Sequence, residues 1–389
     1  MWYFSSPFLV FGEDALDYLE QMKMKKVFIV TDKVMRQVGF LEKVEQKLKN
    51  LPHQVFDEVE PDPSLETVQK GAKLCQKFAP DLIIGLGGGS AMDTGKGIWF
   101  LYENPDQAID SINPFTYYEN FPAKAKFVSI PTTSGTGADV TWAIVLTDTA
   151  QKRKITPASR QIVATVSIID PAFALKMPPA LTAGTGLDAL THAIEGFLSA
   201  WRNDFSDAYT IKAVEFVFKY LARAYKDGND KEAREKMHNA ASMAGLAFGN
   251  SQATFAHSIG HSIGALFHKQ HGNCVGMALP YVMEFCRNNG AGAKEKLADI
   301  GRRALLLTGT DEKVSEDLIL KVRALIKEIK APATIPELGI SKADFDKQLP
   351  TLTKYTSEDS CISMTNPMPN DEQIEKAYHY MWTGKRIDF

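Results

Sequence analysis

In the first half of the chain, short continuous apolar runs alternate with stretches whose apolar residues recur every three or four positions. Lys26-Val27-Phe28-Ile29-Val30-Thr31-Asp32 is one such run, followed by a helical pattern with Leu41, Val44 and Leu48 on one face. Further apolar runs are Asp81–Leu86, Phe127–Ile130 and Ala164–Ile169. Strands separated by helices predict βαβ units. Continuous rather than alternating apolar runs predict parallel strands covered on both faces. After Met177-Pro178-Pro179 the pattern changes. Helical periodicity dominates over 182–200, 206–226, 231–249, 252–267, 313–329 and 371–382. Proline removes a backbone donor and excludes the preceding residue from the helical region, so Pro178-Pro179 marks a boundary, with Thr182 placed to cap the next helix. The expected organisation is an α/β domain over 1–178, with a mostly parallel, Rossmann-like sheet. An all-α domain is expected over 179–389.

Composition narrows the function. The 389 residues carry 44 Lys+Arg against 47 Asp+Glu, a net charge of −3, which gives no basic surface for nucleic acid or an anionic membrane. No apolar run approaches the ~18–20 residues of a membrane span. Met1–Ser5 lacks the basic and apolar regions of a secretory leader. The cysteines at 75, 274, 286 and 361 form no CxxC and no dense framework, so reduced thiols and a cytoplasmic location are expected.

The strand at 81–86 runs into Gly85-Leu86-Gly87-Gly88-Gly89-Ser90, then Asp93 and a helix beginning near Ser90. Glycines let a phosphate approach the backbone, and the free amides and dipole of a helix N-terminus hold it. Ser90 replaces the last glycine of the usual dinucleotide fingerprint, and no Lys-Ser/Thr follows as in a Walker loop. A second loop, Pro131-Thr132-Thr133-Ser134-Gly135-Thr136-Gly137, brings four hydroxyls to the carboxyl end of another strand. Asp32 ends the first of the apolar runs. A carboxylate there either accepts from a ribose 2′-hydroxyl and repels a 2′-phosphate, favouring NAD over NADP, or caps the helix that follows. The first role needs a strand order other than the usual one.

Of the eight histidines, four fall between 257 and 271. Asp188-Ala189-Leu190-Thr191-His192 and His257-Ser258-Ile259-Gly260-His261 each put two donors at i, i+4, on one helix face. His271 is expected where the second helix gives way to a loop. Two such faces and a loop histidine can converge on one divalent cation. Imidazole with carboxylate suits Zn²⁺ or Fe²⁺ better than Mg²⁺ or Ca²⁺. His268 reads as a surface or supporting residue, and His53, His238 and His379 as isolated. A cation beside a dinucleotide points to alcohol oxidation: a Lewis acid stabilises the alkoxide while hydride passes to the nicotinamide, with the cleft between the domains the expected place.

With these residues in view, the chain resembles the iron-containing (group III) alcohol dehydrogenases over essentially its whole length. The resemblance rests on Gly87-Gly88-Gly89-Ser90 with Asp93, Pro131–Thr136, Gly186-Leu187-Asp188-Ala189-Leu190-Thr191-His192-Ala193-Ile194-Glu195, and His257-x3-His261-x2-Gly264 with His271. It implies metal ligands at Asp188, His192, His257 and His271, with His261 off the metal, near substrate or in proton relay. It implies cofactor contacts from Asp32, Gly88, Gly89, Ser90, Asp93, Thr132, Thr133, Thr136 and Lys154. The implied cofactors are NAD, with NADP less favoured, and Fe²⁺ or alternatively Zn²⁺. The implied substrate is a small primary alcohol or diol and its aldehyde, and the implied assembly a homodimer or higher oligomer. Ala143 stands where several members carry asparagine. Phe248, Phe255 and Cys361 read equally as pocket lining or core. An alternative on the same architecture is a dehydroquinate-synthase-like or glycerol-dehydrogenase-like enzyme. The cyclase would need basic residues near the metal, where Lys269 is the one at hand.

Overall fold

The computed structural model describes residues 3–119, 121–150 and 153–389. Met1 and Trp2, part of the segment compared with a secretory leader, lie outside them. The chain divides into two compact units, Met1–Leu175 and Lys176–Phe389.

The first unit contains β1 (Phe8–Phe11), β2 (Val27–Val30), β3 (His53–Phe56), β4 (Leu82–Gly87), β5 (Lys126–Pro131), β6 (Leu146–Asp148), β7 (Arg153–Ile155) and β8 (Val166–Ile169). Its helices are α1 (Lys33–Gln37), α2 (Phe40–Leu48), α3 (Leu65–Phe78) and α4 (Gly89–Glu103). Six strands form a parallel sheet in the order β1-β8-β5-β4-β2-β3, and β6 and β7 form a separate antiparallel pair. Side chains leave a strand alternately to its two faces. Phe28 and Val30 therefore join one core with Ile83, Phe127 and Trp99, while Val27 and Ile29 join another with Ile84, Val128, Leu41 and Val44. Both faces are covered, which is why β2, β4, β5 and β8 read as unbroken apolar runs. The outer strands β1 and β3 are half exposed and carry no such run, so the pattern does not reveal them.

The second unit contains α5 (Pro179–Leu198), α6 (Asp204–Lys226), α7 (Lys231–Gly249), α8 (Phe255–Phe267), α9 (His271–Asn289), α10 (Ala293–Leu305), α11 (Asp311–Glu328), α12 (Lys342–Glu358) and α13 (Asp371–Thr383). Three of these, α9, α10 and α12, are absent from the pattern-based expectation. Pro280 lies inside α9 and Pro350 inside α12, each removing a helix donor and arguing against a helix in the sequence. α10 does carry helical spacing, at Leu297, Ile300 and Ala304, so its signal is present in the sequence. Helix α5 is buried without a break from Thr182 to Leu198, the mark of a helix surrounded by others. Thr182 does not cap it. The helix opens at Pro179, and the Thr182 hydroxyl donates to Pro178 O at 3.1 Å and accepts from the buried Arg234 at 2.8 Å. Among the described residues no helix is long and apolar enough to cross a membrane.

Candidate metal centre and cofactor loops

In the second unit, Asp188, His192 and Glu195 follow one another at i, i+4 and i+7, so α5 presents all three along one buried stripe. Asp188 Oδ1 lies 3.7 Å from His192 Nδ1, 3.8 Å from His257 Nε2 and 3.4 Å from His271 Nε2. Ligand atoms of Asp188, His192 and His257 all fall within 4.8 Å of one another, and His271 joins them through its approach to Asp188. Tetrahedral ligands at ~2.1 Å from a cation stand about 3.4 Å apart, close to these separations. Asp188 Oδ1 and His257 Nε2 are buried without a hydrogen-bond partner among the described residues. Orphaned buried polar atoms are costly, and a shared cation relieves both at once. The four residues therefore fit a divalent metal ion.

Close helix approach brings these donors together. A Cβ on Gly272 would sit 2.2 Å from the carbonyl oxygen of Gly184, so α9 crosses α5 backbone to backbone. That crossing sets His271 beside Asp188. His271 is not in a loop, as expected, but opens α9, with Gln270 as the preceding cap residue. Phe248, half-buried, stacks face to face on His192 at 3.9 Å between centroids and steadies its ring. Phe255 is fully buried against Phe285 and belongs to the core. His268 is the exposed left-handed cap residue of α8, and His53 and His379 are exposed, whereas His238 is buried.

Glu195, like Asp359 below, is a candidate functional residue that sequence reasoning missed. It is fully buried and accepts from Thr254 N, Thr254 Oγ1, Ala256 N and, at 2.5 Å, His257 Nδ1. Its place three residues after His192, on the stripe that begins at Asp188, is the signal that could have found it. With Nδ1–H donated to Glu195, Nε2 is the nitrogen of His257 that faces Asp188. Burial alone would lower the basicity of His257, but Asp188 and Glu195 together raise its pKa to about 9. Burial would likewise raise the Asp188 carboxyl, but the His192 and His271 imidazoles hold it well below the ordinary range.

His261 stands beside this group. Its ring centroid is 5.9 Å from His257 and 5.3 Å from His271, and its Nδ1 donates to Asp359 Oδ2 at 2.9 Å. Cys361, half-buried, donates its backbone N–H to the same carboxylate at 2.9 Å.

In the first unit, Gly87 leaves β4 at φ +148, and a Cβ there would also meet Ala91 Cβ at 2.7 Å. Gly88, lacking a side chain, is the N-cap of the fifteen-residue α4, whose first turn has no acidic residue and no side-chain cap. The opening amides and positive dipole end of α4 are thus left for an anion. Cβ atoms on Gly88 and Gly89 would lie 3.3 Å from Thr133 Cγ2 and 3.1 Å from Thr136 Cγ2, so the hydroxyl-bearing loop folds directly over the glycines. Thr132 N–H ties it down by donating to Gly87 O at 2.8 Å, and Thr132 is itself buried. Ser90, in the first turn of α4, is half-buried.

Three expected cofactor residues are engaged with protein. Asp32 Oδ1 caps α1, accepting from Val34 N at 2.7 Å and Met35 N at 3.1 Å. Its Oδ2 points at the glycine turn, 3.6 Å from where a Gly87 Cβ would be, because β2 lies next to β4 in the sheet. That neighbourhood is the strand order a ribose-reading Asp32 needs. Asp93 turns inward and accepts from Val145 N at 3.1 Å, near the buried Lys96. Burial pushes its carboxyl up to about 6, against the pull of Lys96. Burial in turn pushes Lys96 down to about 8, and its ammonium donates to Thr141 O at 2.7 Å and Ala143 O at 3.2 Å. Lys154 is paired with Asp62.

Two family models cover nearly the whole chain: iron-containing alcohol dehydrogenase over 6–171 and the C-terminal part of the Fe-containing alcohol dehydrogenase family over 182–382. The chain belongs to the iron-containing alcohol dehydrogenase family and is an oxidoreductase acting on alcohols. It is 38% identical over 385 residues to an NADPH-dependent butanol dehydrogenase of Clostridium saccharobutylicum, the match covering 98% of each chain. It is similar to a solved 1,3-propanediol oxidoreductase, with TM-score 0.91, 29% identity, and 98% of this chain and 100% of the other covered. It is also similar to a sulfoacetaldehyde reductase of Bifidobacterium kashiwanohense solved with NAD⁺, with TM-score 0.86, 25% identity and 98% of each chain covered.

Proposed function

We propose that this enzyme interconverts a small primary alcohol or diol with its aldehyde, using NAD(H) and one Fe²⁺ held by Asp188, His192, His257 and His271. The observation that carries the metal assignment is the orphaned, buried Asp188 Oδ1 with three imidazole nitrogens at 3.4–3.8 Å. When bound, the cation supplies Lewis acidity that lowers the pKa of the alcohol hydroxyl. Asp188 brings the negative charge of the donor set, and Glu195 keeps His257 in the tautomer that donates through Nε2. His261 is the group beside them that accepts the alcohol proton. Gly88, Gly89 and Ser90 cradle the pyrophosphate at the start of α4, with Thr132, Thr133 and Thr136 closing over it. A homodimer is part of the same reading, and light scattering would register it as twice the chain mass.

The choice of NAD over NADP rests on Asp32, whose Oδ2 faces the glycine turn. A carboxylate there accepts from a 2′-hydroxyl and repels a 2′-phosphate. Asp32→Ser keeps a capping oxygen for α1 while removing the charge. It should raise kcat/KM for NADP⁺ relative to NAD⁺ by at least about tenfold, the equivalent of ~1.4 kcal/mol. An unchanged cofactor ratio would remove Asp32 from this role.

The decisive experiment is elemental analysis of the purified protein, with C2–C6 alcohols and diols screened for NAD⁺ and NADP⁺ reduction. His271→Ala should lose metal and most of kcat. Full turnover by metal-free His271→Ala protein would refute the metal's part.

A further inference from the structure

The carboxylate of Asp359 comes from the far end of the second unit, 98 positions from the imidazole it meets. It follows the last turn of α12 and caps the short 3-10 helix Ser360–Met364. Its two oxygens have different partners. Oδ1 accepts from Ser258 Oγ at 3.0 Å and from Cys361 N at 2.9 Å, while Oδ2 accepts from His261 Nδ1 at 2.9 Å. Both side chains are only partly accessible, His261 at 16% and Asp359 at 17%.

The elements that carry the pair are pinned together one turn away. Thr356 Oγ1 lies 2.9 Å from Ser262 Oγ and 2.7 Å from Tyr378 OH, all three residues being buried. Ser258, His261 and Ser262 share one face of α8, at i, i+3 and i+4. That face is therefore bonded to α12 and its end at three successive points. A group held this way keeps one ring plane and one tautomer.

We propose that Asp359 is the positioning residue of His261: it holds Nδ1 protonated and turned away from the cation, and leaves Nε2 as the one ring nitrogen free for substrate or water. The inference rests on the dehydrogenase reading and adds the residue through which His261 is aimed. Asp359 acts on the reaction only by way of that ring.

Asp359→Asn is the informative substitution, because it is isosteric. The position of Oδ1 faces the Cys361 N–H, a fixed donor, so the amide oxygen must occupy it. The amide nitrogen is then left to face His261 and donates to Nδ1. This forces the opposite tautomer, with the proton on Nε2. Metal content and Tm should stay at wild-type values, with KM for NAD⁺ within about twofold, while kcat falls on the order of 10²-fold, the scale of a lost general base. Asp359→Asn added to His261→Ala should lower kcat no further than His261→Ala alone. In the Zn²⁺-loaded protein, ¹⁵N-histidine spectra should show the His261 proton moving from Nδ1 to Nε2, whether or not the enzyme turns over.

Wild-type kcat in Asp359→Asn, a further multiplicative loss in the double variant, or an unmoved tautomer would each overturn the proposal. A wild-type enzyme that oxidises no alcohol, together with the tautomer shift in Asp359→Asn, would instead sink the dehydrogenase reading and leave the positioning intact.

Discussion

At the scale of single residues, the second unit hides carboxylates behind imidazoles. Glu195 sets the tautomer of His257, and removing its charge should weaken the grip on metal without removing a ligand. Glu195→Gln is expected to cost 10–100-fold in metal affinity, read by competition with a chromogenic chelator. Wild-type affinity in that variant would show that the tautomer is set elsewhere. In the first unit, the buried Lys96 faces the carboxylates of Asp93 and Asp139. Asp93→Asn leaves its ammonium with less compensation, a cost set against the relief of a carboxylate whose ionised form burial disfavours. The sign of the pH effect follows from Lys96. Its folded pKa lies below its unfolded value of 10.5 and drops further once Asp93 is neutral. The folded state therefore releases the proton first, and the penalty fades as pH rises toward the unfolded value. The Tm of Asp93→Asn, taken relative to wild type at the same pH, should be higher at pH 9.5 than at pH 7, and an equal or lower relative Tm would contradict this account.

At the scale of elements, the proposed metal centre depends on how closely α9 approaches α5. The 2.2 Å separation between a Gly272 Cβ and the Gly184 carbonyl involves backbone atoms on both sides, so no side-chain rotation relieves it. Gly272→Ala must therefore move the start of α9 and carry His271 away from Asp188. Metal affinity should fall at least tenfold, and Tm with it. Gly264→Ala is the control on the adjacent helix. Its Cβ would find only Lys269 O at 3.6 Å, ordinary contact, so the substitution should be neutral or add roughly 0.5–1 kcal/mol by the usual helix preference. Calorimetry with and without metal separates the two outcomes. Elements also account for what the pattern missed. Helices α9 and α12 each contain a proline, a residue that argues against a helix interior, although both bury a face along their length. Strands β1 and β3 lie at sheet edges and are only partly buried, so they lack the unbroken apolar run that marks a strand covered on both faces.

For the whole molecule, metal should act as a folding ligand of the second unit, because its donors come from α5, α8 and α9. At a free metal concentration 1,000 times Kd, binding stabilises by ~4 kcal/mol. Chelation of the purified enzyme should lower Tm by several degrees, and the effect should vanish in Asp188→Ala. A chelator-insensitive wild type would mean that the four donors hold no metal in solution.

Sequence alone determined the class of the fold and named most of the candidate metal donors. Apolar runs report strands buried on both faces, and Asp188/His192 and His257/His261 are local i, i+4 pairs whose geometry any helix imposes. Tertiary structure decided which donors belong together. That His261 turns to Asp359 rather than to Asp188, that Glu195 reaches across to His257, and that Asp32 lies beside Gly87 all depend on contacts between distant parts of the chain. Such contacts are set by helix crossings and strand order, which leave no periodic trace along the sequence.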